Sequence, residues 1–374
     1  MEPATHILTG MCLSRAGLNR RAAYATLTMA VAAEFPDIDT LWGLRGPIEG
    51  FAHHRGITHT FLGVPFEAAL LVGAVYGLHR WRIKRAKSRP QTQPLTKAPV
   101  RWGLLYGFAL IGLLSHLLLD YTNNYGIRPF FPFDRHWFAG SFVFIFDPMI
   151  FGLLVLGLVV PGLLALIGSE VGARKALFRG RGWAVAALIG IVCWWGLRVV
   201  EHGRAVALGM TQSVQQPSRL APSGANDENV GVAPSEGPAV FLTAQRVLAS
   251  PDPLSPFAWS VATDYGPLYQ LAEADARTGT LDVQDEFYWK PGSGATARAA
   301  EASPLGRVYL DWSAMPVIDV SDRDPDGVKT VTFRDLRFMG GWMKDTGRTA
   351  LEGTVEVNAA GKIVRQTMDG RAER

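Results

Sequence analysis

Four long apolar runs in the first half of the chain, residues 60–78, 102–120, 142–167 and 183–200, constrain it more than any other feature. A helix rises ~1.5 Å per residue, so about 20 apolar residues cross a hydrocarbon core of ~30 Å. Each run is therefore predicted to be a spanning helix. Two shorter apolar segments precede them, at 5–17 and 21–33, around a basic turn at 14–21. Neither is long enough to cross alone. They predict a short helical hairpin dipping into the membrane, with one untidy spanning helix as the alternative.

Charge divides the chain in the same place. Residues 1–204 carry a balance of +10 and residues 205–374 a balance of −6. The positive charge of the first part lies between the apolar runs, from Arg80 to Arg101 and from Arg174 to Arg181. Basic loops that flank spans mark the cytoplasmic side. No basic stripe lies elsewhere, so nucleic acid is not an expected partner. With both loops inside, parity sends the chain at Thr60, Asp120 and Phe142, and everything after Val200, to the outer face. A hairpin turning inside at Arg15–Arg21 sends His6 and residues 36–39 there as well.

From Gln212 to Gly237 the chain is rich in Pro, Ser, Gly, Asn and Gln, and residues 205–237 read as a flexible linker. Beyond it the pattern turns to period two at 240–248, 258–263, 268–271, 281–289, 328–338 and 351–368, with a hairpin turn at 358–362 and a short Ala-rich helix at 295–302. The expected architecture is an α-helical polytopic membrane domain over 1–204, a short N-terminal hairpin plus four spanning helices, followed by a small, mainly antiparallel β domain over 238–374 outside the membrane. Residues 319–327 resemble a calcium loop only loosely, lacking the closing glutamate, and read as an acidic turn. Cys12 and Cys193 both fall in apolar segments and read as buried small hydrophobes, which rules out a disulfide framework or a thiolate zinc site built from them. The amino terminus lacks the basic region of a cleaved signal peptide and reads as mature sequence.

Polar residues cluster at the outer ends of the apolar runs. Residues 51–60 hold His53, His54 and His59 with Arg55, three of the chain's 8 histidines. His116 and Asp120 are four apart on a predicted helix, which stacks them one turn apart on one face. Such groups are costly at the mouth of an apolar span unless paired or ligated. Asp37 and Asp39 follow Pro36 at a helix end, where they either cap a helix or face the same site. Imidazoles and carboxylates without thiolates suit Zn²⁺, Mn²⁺ or Fe²⁺, and so many donors suit two ions. The ligand set expected from joint placement on one face is His6, Asp37, Asp39, His54, His59, His116 and Asp120. Arg55 either neutralises an anionic substrate or pairs with a carboxylate.

These motifs resemble a family. His6 followed by Gly10, Pro36-Asp37-Ile38-Asp39, His54-Arg55-Gly56-Ile57-Thr58-His59-Thr60, Ser115-His116-Leu117-Leu118-Leu119-Asp120, and Thr122 with the 126–132 stretch are similar in kind and order to the YdjM-type bacterial inner-membrane metal-dependent hydrolases. Thr60 stands where a serine is common in that family. The resemblance covers residues 1–200 and implies a membrane-embedded, metal-dependent hydrolase in the inner membrane; the family's substrate does not carry over. A looser analogy to zinc phospholipases and nucleases tilts the expected bond toward a phosphoester.

The functional expectation is hydrolysis of an ester or phosphoester in a lipid or lipid-linked substrate at the periplasmic face, with two zinc ions. Water is the expected nucleophile, Asp39 ahead of Asp37 the group that orients or deprotonates it, and Arg55 and His53 the residues that steady substrate charge. The rival is a transporter or a metal- or proton-handling protein that uses the same cluster, for which Glu67 is the chief polar residue inside a span. A third possibility is a membrane anchor that displays the β domain to a partner.

Overall fold

The computed structural model describes residues 1–86, 98–170, 180–215, 240–290, 294–321, 323–341 and 350–373. Two units emerge: residues Met1–Asp39 with Arg55–Leu197, and residues Thr40–His54 with Arg198–Arg374. Of the residues expected in the linker, 205–210 instead end a helix and 213–215 form a short strand, while 216–237 lie outside the described residues.

The first unit is helical. Helix α1 spans Pro3–Arg15, α2 Ala25–Ala32, α4 Gly63–Ala86, α5 Trp102–Thr122 and α6 Pro148–Glu170, and α7, Arg181–Met210, contributes its first part. Residue Glu2 caps α1, its carboxylate accepting from the Ala4 and Thr5 amides, and Pro3 sits at the first helical position, where a missing N–H costs nothing. Among the four expected spans, α5 and α7 are long and apolar enough to cross a membrane by themselves. Helix α4 becomes a third only when counted with the short helices before it, because Glu67 and its basic end from Arg80 to Arg85 dilute its apolar character. In α6 the apolar stretch among the described residues is Pro148–Leu164. The expected hairpin is present, although its second arm, α2, is only 8 residues long.

Small residues let this hairpin pack closely on α5. A Cβ on Gly10 would lie 2.3 Å from the Met29 carbonyl oxygen, and one on Gly112 would lie 2.8 Å from Ala32 Cβ and 3.0 Å from the same oxygen. Helices in lipid gain no hydrophobic drive toward each other, so close van der Waals approach through glycine must hold them. Gly10 is one turn from His6 and Gly112 one turn from His116. The glycine contacts that seat α1 and α5 on α2 thus set where both histidines reach. Cys12 is buried as expected, but Cys193 is exposed. It shares with Ile189 and Val192 an outward apolar face of α7, the kind of surface that lipid covers.

The second unit is mainly antiparallel. Strands β3 Arg246–Pro251, β4 Ala258–Asp264, β5 Leu268–Asp275 and β6 Thr280–Trp289 form a meander in sequence order. A second sheet runs β11-β10-β9-β8-β7, from β7 Pro316–Val320, β8 Lys329–Asp335, β9 Gly353–Val357, β10 Ile363–Met368 and β11 Arg371–Ala372. Short strands β1 Ser213–Gln215 and β2 Phe241–Thr243 pair separately. The expected 358–362 turn joins β9 to β10, with the Asn358 side-chain oxygen accepting from the Ala360 and Lys362 amides. Strand β7 was missed in the sequence, since Pro316 opens it and only Val317 and Ile318 are buried. Helices α8 Ala295–Glu301 and α9 Pro304–Trp312 complete the unit. Helix α3, Pro47–His53, packs here too: Phe51 meets Tyr309 and Trp312, and the Ile48 amide donates to Glu373. Of the 319–327 stretch, Asp319 and Val320 end β7, and from 324 to 328 the Asp324 carboxylate closes a turn by accepting from the Asp326 and Val328 amides.

The polar anchor of this unit is Asp335, at the end of β8. It accepts from the Ala314 amide at 2.9 Å and pairs with Arg337, which lies over the Trp312 ring. Burial works to raise its carboxyl pKa, but the Arg337 charge and these hydrogen bonds outweigh burial and hold it below the usual range. A depressed carboxyl contributes stability above its unfolded value of ~4, and that contribution disappears as pH falls through the folded value. Replacing Asp335→Ala leaves Arg337 buried without its partner and is expected to cost roughly 3–5 kcal/mol. Denaturant unfolding of the full chain in detergent, followed by tryptophan fluorescence, checks this; a loss below about 1 kcal/mol would refute it.

Candidate metal centre

Five segments of the first unit bring polar side chains together. Helix α1 carries His6, the 3-10 stretch Phe35–Leu44 begins with Asp37 and Asp39, the 3-10 turn Ile57–His59 ends on His59, and α5 carries His116 and Asp120. Arg55 lies between the two 3-10 segments, with its backbone in the left-handed region at φ 54°. Thr60 caps α4, its hydroxyl accepting from the Gly63 amide. His6, His59, His116, Asp39, Asp120 and Arg55 are all buried.

One ligand atom from each of Asp37, His59, His116 and Asp120 lies within 4.8 Å of the others. The two imidazole Nε2 atoms are 3.0 Å apart. His59 Nε2 is 3.3 Å from Asp37 Oδ1 and 3.5 Å from Asp120 Oδ2, and His116 Nε2 is 3.6 Å and 3.5 Å from the same two oxygens. A tetrahedral ion with bonds of 2.0–2.1 Å sets its ligands about 3.3 Å apart. These separations bracket that value.

The outward nitrogens determine what the inner ones can do. His116 Nδ1 is 2.7 Å from the Ala33 carbonyl, and His59 Nδ1 is 3.1 Å from Asp39 Oδ2, both acceptor-only oxygens. Each Nδ1 must therefore carry its proton, and in the neutral tautomer each Nε2 presents a lone pair. In that neutral tautomer two imidazole lone pairs and two carboxylate oxygens face one another. A cation satisfies that arrangement. The backing of each histidine by a carbonyl or a carboxylate is the usual outer support of metal-ligating imidazoles.

Charge points the same way. Asp37, Asp39 and Asp120 bring three carboxylates, against Arg55 and the buried amino group of Met1, which bonds Asp120 Oδ1.

The structure distributes the sequence-expected residues unequally. Asp37, His59, His116 and Asp120 form the compact group. His6 stacks on His116 with ring centroids 3.8 Å apart and sets Nε2 3.4 Å from Asp120 Oδ1. Asp39 stands behind His59, its Oδ2 also accepting from the Arg55 amide at 2.8 Å and the Thr58 hydroxyl at 3.1 Å. Arg55 takes the pairing role of its two expected ones: Nε is 3.0 Å from Asp120 Oδ2, and one terminal nitrogen donates to the Asp120 and Gly126 carbonyls and to Asn123 Oδ1. His53 and His54 belong to the second unit, where His53 lies 3.3 Å from Glu49 and stacks on Trp42 at 4.0 Å. The sequence reading missed Asn123, Thr58 and the Ala33 carbonyl. Asn123 had a signal, being the first polar residue past α5; a backbone carbonyl has none.

A family model described as the YdjM inner membrane protein matches residues 1–205. The chain belongs to the YdjM inner membrane protein family. Its candidate metal group lies wholly within the matched residues, and the family's location agrees with the apolar helices. The chain is also 26% identical over 159 residues to the uncharacterized protein YfhP of Bacillus subtilis, an alignment covering 40% of this chain and 43% of YfhP. This chain thus spans less than half of that relative's length. No solved structure matches.

Asp39→Asn keeps the shape but weakens the support behind His59, and is expected to lower metal affinity roughly 10–100-fold. Competition titration with a chromogenic chelator measures this; an unchanged affinity would remove Asp39 from the centre.

Proposed function

We propose that this protein is a membrane-bound, divalent-metal-dependent hydrolase acting on an ester or phosphoester of a lipid or lipid-linked substrate. The observation that carries the reading is the convergence of two imidazole lone pairs and two carboxylate oxygens, each histidine held from behind. A divalent ion held there, zinc by the donor set with manganese or iron as alternatives, polarises a substrate oxygen and makes water a nucleophile near neutral pH.

The residues take distinct roles. His59, His116, Asp37 and Asp120 hold the ion. Asp37 is the most open of them, its side chain 15% exposed against 1% or less for the other three, so water and substrate approach from its side. Asp37 is therefore the better placed carboxylate to orient the attacking water. Asp39, expected in that role from sequence, acts through His59 as a positioning residue. Arg55 fixes Asp120 instead of meeting substrate. His54 stays a proposed ligand and His53 a proposed substrate contact.

A lipid-like substrate follows from the surroundings. Phe61, two residues beyond His59, is exposed and in edge contact with Phe130, and Phe133 is exposed on the same aromatic loop. Such rings suit the membrane interface. The periplasmic placement of this face and of the β domain rests on the basic-loop argument. The transport reading has one observation in its favour, the buried carboxylate of Glu67 in α4, whose Oε2 makes no hydrogen bond.

Detergent-purified protein is expected to hydrolyse a p-nitrophenyl phosphoester or a short-chain phospholipid, to stop after chelation and to recover with added Zn²⁺ or Mn²⁺. Chelator-insensitive turnover, or no turnover with any such ester, would overturn the hydrolase. Topology is tested separately with Phe133→Cys in a Cys193→Ala background. Labelling by a membrane-impermeant maleimide is expected from the periplasm; labelling only from the cytoplasm reverses the orientation.

A further inference from the structure

Helix α7 continues past the end of its apolar run, and strands β3 and β4 of the second unit pack along that continuation. Near the far end of α7, a Cβ on Gly209 would lie 2.7 Å from Val247 and 2.8 Å from Val261. Nearer the apolar run, the His202 ring meets Trp259 edge-on at 5.4 Å, and the Arg198 guanidinium lies over the same ring at 5.2 Å. Strand β4 thus starts level with the turn from Arg198 to His202 and runs away from the apolar run. The loop before it, which joins β3 to β4, is the part of this hairpin closest to the run.

Arg198 fixes that loop directly. It is fully buried, and its terminal nitrogens donate to the Ser255 carbonyl at 2.7 Å and the Asp252 carbonyl at 2.8 Å. The apolar run ends at Val200, about 3 Å further along the helix, and Val199 and Val200 are exposed. An arginine at the edge of a span normally reaches out to headgroups. Here it is committed to the loop, which is therefore held at the level where the apolar face of α7 ends.

The loop itself is built for surroundings without water. Every amide hydrogen from Asp252 to Ala258 has an acceptor: Asp252 donates to the Ala258 carbonyl, Leu254 and Ser255 to the Asp252 carboxylate, and Phe257 and Ala258 to the Ser255 hydroxyl oxygen. Pro253 and Pro256 have no amide hydrogen to satisfy. Among the carbonyls, Pro256 accepts from Trp259 Nε1 at 3.1 Å and Phe257 from the Ala276 amide at 2.8 Å, beside the two bound by Arg198. Surface loops leave such groups to water, whereas contact with lipid requires them to be bonded internally. Out of this satisfied backbone the turn presents Leu254, 76% exposed.

We propose that the loop Asp252–Phe257 is a membrane-contact element, held at its depth by Arg198, through which the second unit rests on the bilayer with Leu254 among the lipid chains. Bilayer lipid is its partner because the loop continues the outward apolar face that α7 presents at Val199 and Val200. The inference is independent of the metal reading.

The test uses full-length Leu254→Cys in the Cys193→Ala background, labelled with the fluorophore NBD and reconstituted into phosphatidylethanolamine–phosphatidylglycerol vesicles; the remaining Cys12 is buried. Emission is expected to be blue-shifted and to fall at least about twofold when the lipids carry a spin label on the acyl chain, while iodide on both sides of the membrane has little effect. Emission at the wavelength found in water, quenched by iodide and unchanged by spin-labelled lipid, overturns the proposal. Since Leu254 is exposed, the substitution disturbs no packing and this measurement decides the contact by itself. Adding Arg198→Gln is expected to raise iodide quenching at least about twofold as the loop loses its anchor. Unchanged quenching by both agents in a folded Arg198 variant overturns the role given to Arg198.

Discussion

The pairing of Asp120 with Arg55 holds the functional half of this protein together. Asp120 lies at the end of an apolar helix and is almost fully buried, a position where an isolated carboxylate is very costly. Arg55 meets that cost with an ion pair, and its remaining donors bind the carbonyls of Asp120 and Gly126 and the side chain of Asn123. The segment carrying Arg55 is thereby fixed against the end of α5. His59, four residues later, is carried into reach of His116. The left-handed backbone at Arg55 is strain that these contacts and the bond from its amide to Asp39 hold in place.

A second constraint is the close packing of short helices. The hairpin of α1 and α2 has little length over which to gain dispersion energy, and the glycines at 10 and 112 compensate by letting backbones approach. This is also why α2 offers the Ala33 carbonyl to His116 at 2.7 Å. Structural and functional demands meet in the same few residues. A larger side chain at either glycine would move a histidine as well as a helix.

The β unit has its own logic. Strands β8 and β9 alternate buried and half-buried residues, and the buried Asp335–Arg337 pair ties the end of β8 to α9. It also holds α3, a piece of chain from between the Asp37–Asp39 and Arg55–His59 motifs, through Phe51 and Ile48. The family match ends at residue 205, close to where the apolar runs end and well before the period-two alternation begins at 240.

Local pattern by itself determined the apolar helices, the hairpin before them, the antiparallel character of the carboxy-terminal region and the pairing of His116 with Asp120, because each depends on spacing within a few residues. Length and hydropathy suffice for a span, and a four-residue interval suffices for one helical face. Only the tertiary structure decided which polar groups converge. His6, Asp37, His59 and Asp120 are brought together by contacts between segments far apart in the chain, and no local period encodes such contacts. For the same reason the sequence left Asp39 between metal and water and Arg55 between substrate and a carboxylate, whereas in the fold Asp39 contacts His59 and Arg55 pairs with Asp120. A residue's chemistry is written in its side chain, but whether it faces an ion, a substrate or another residue depends on what the fold sets behind it.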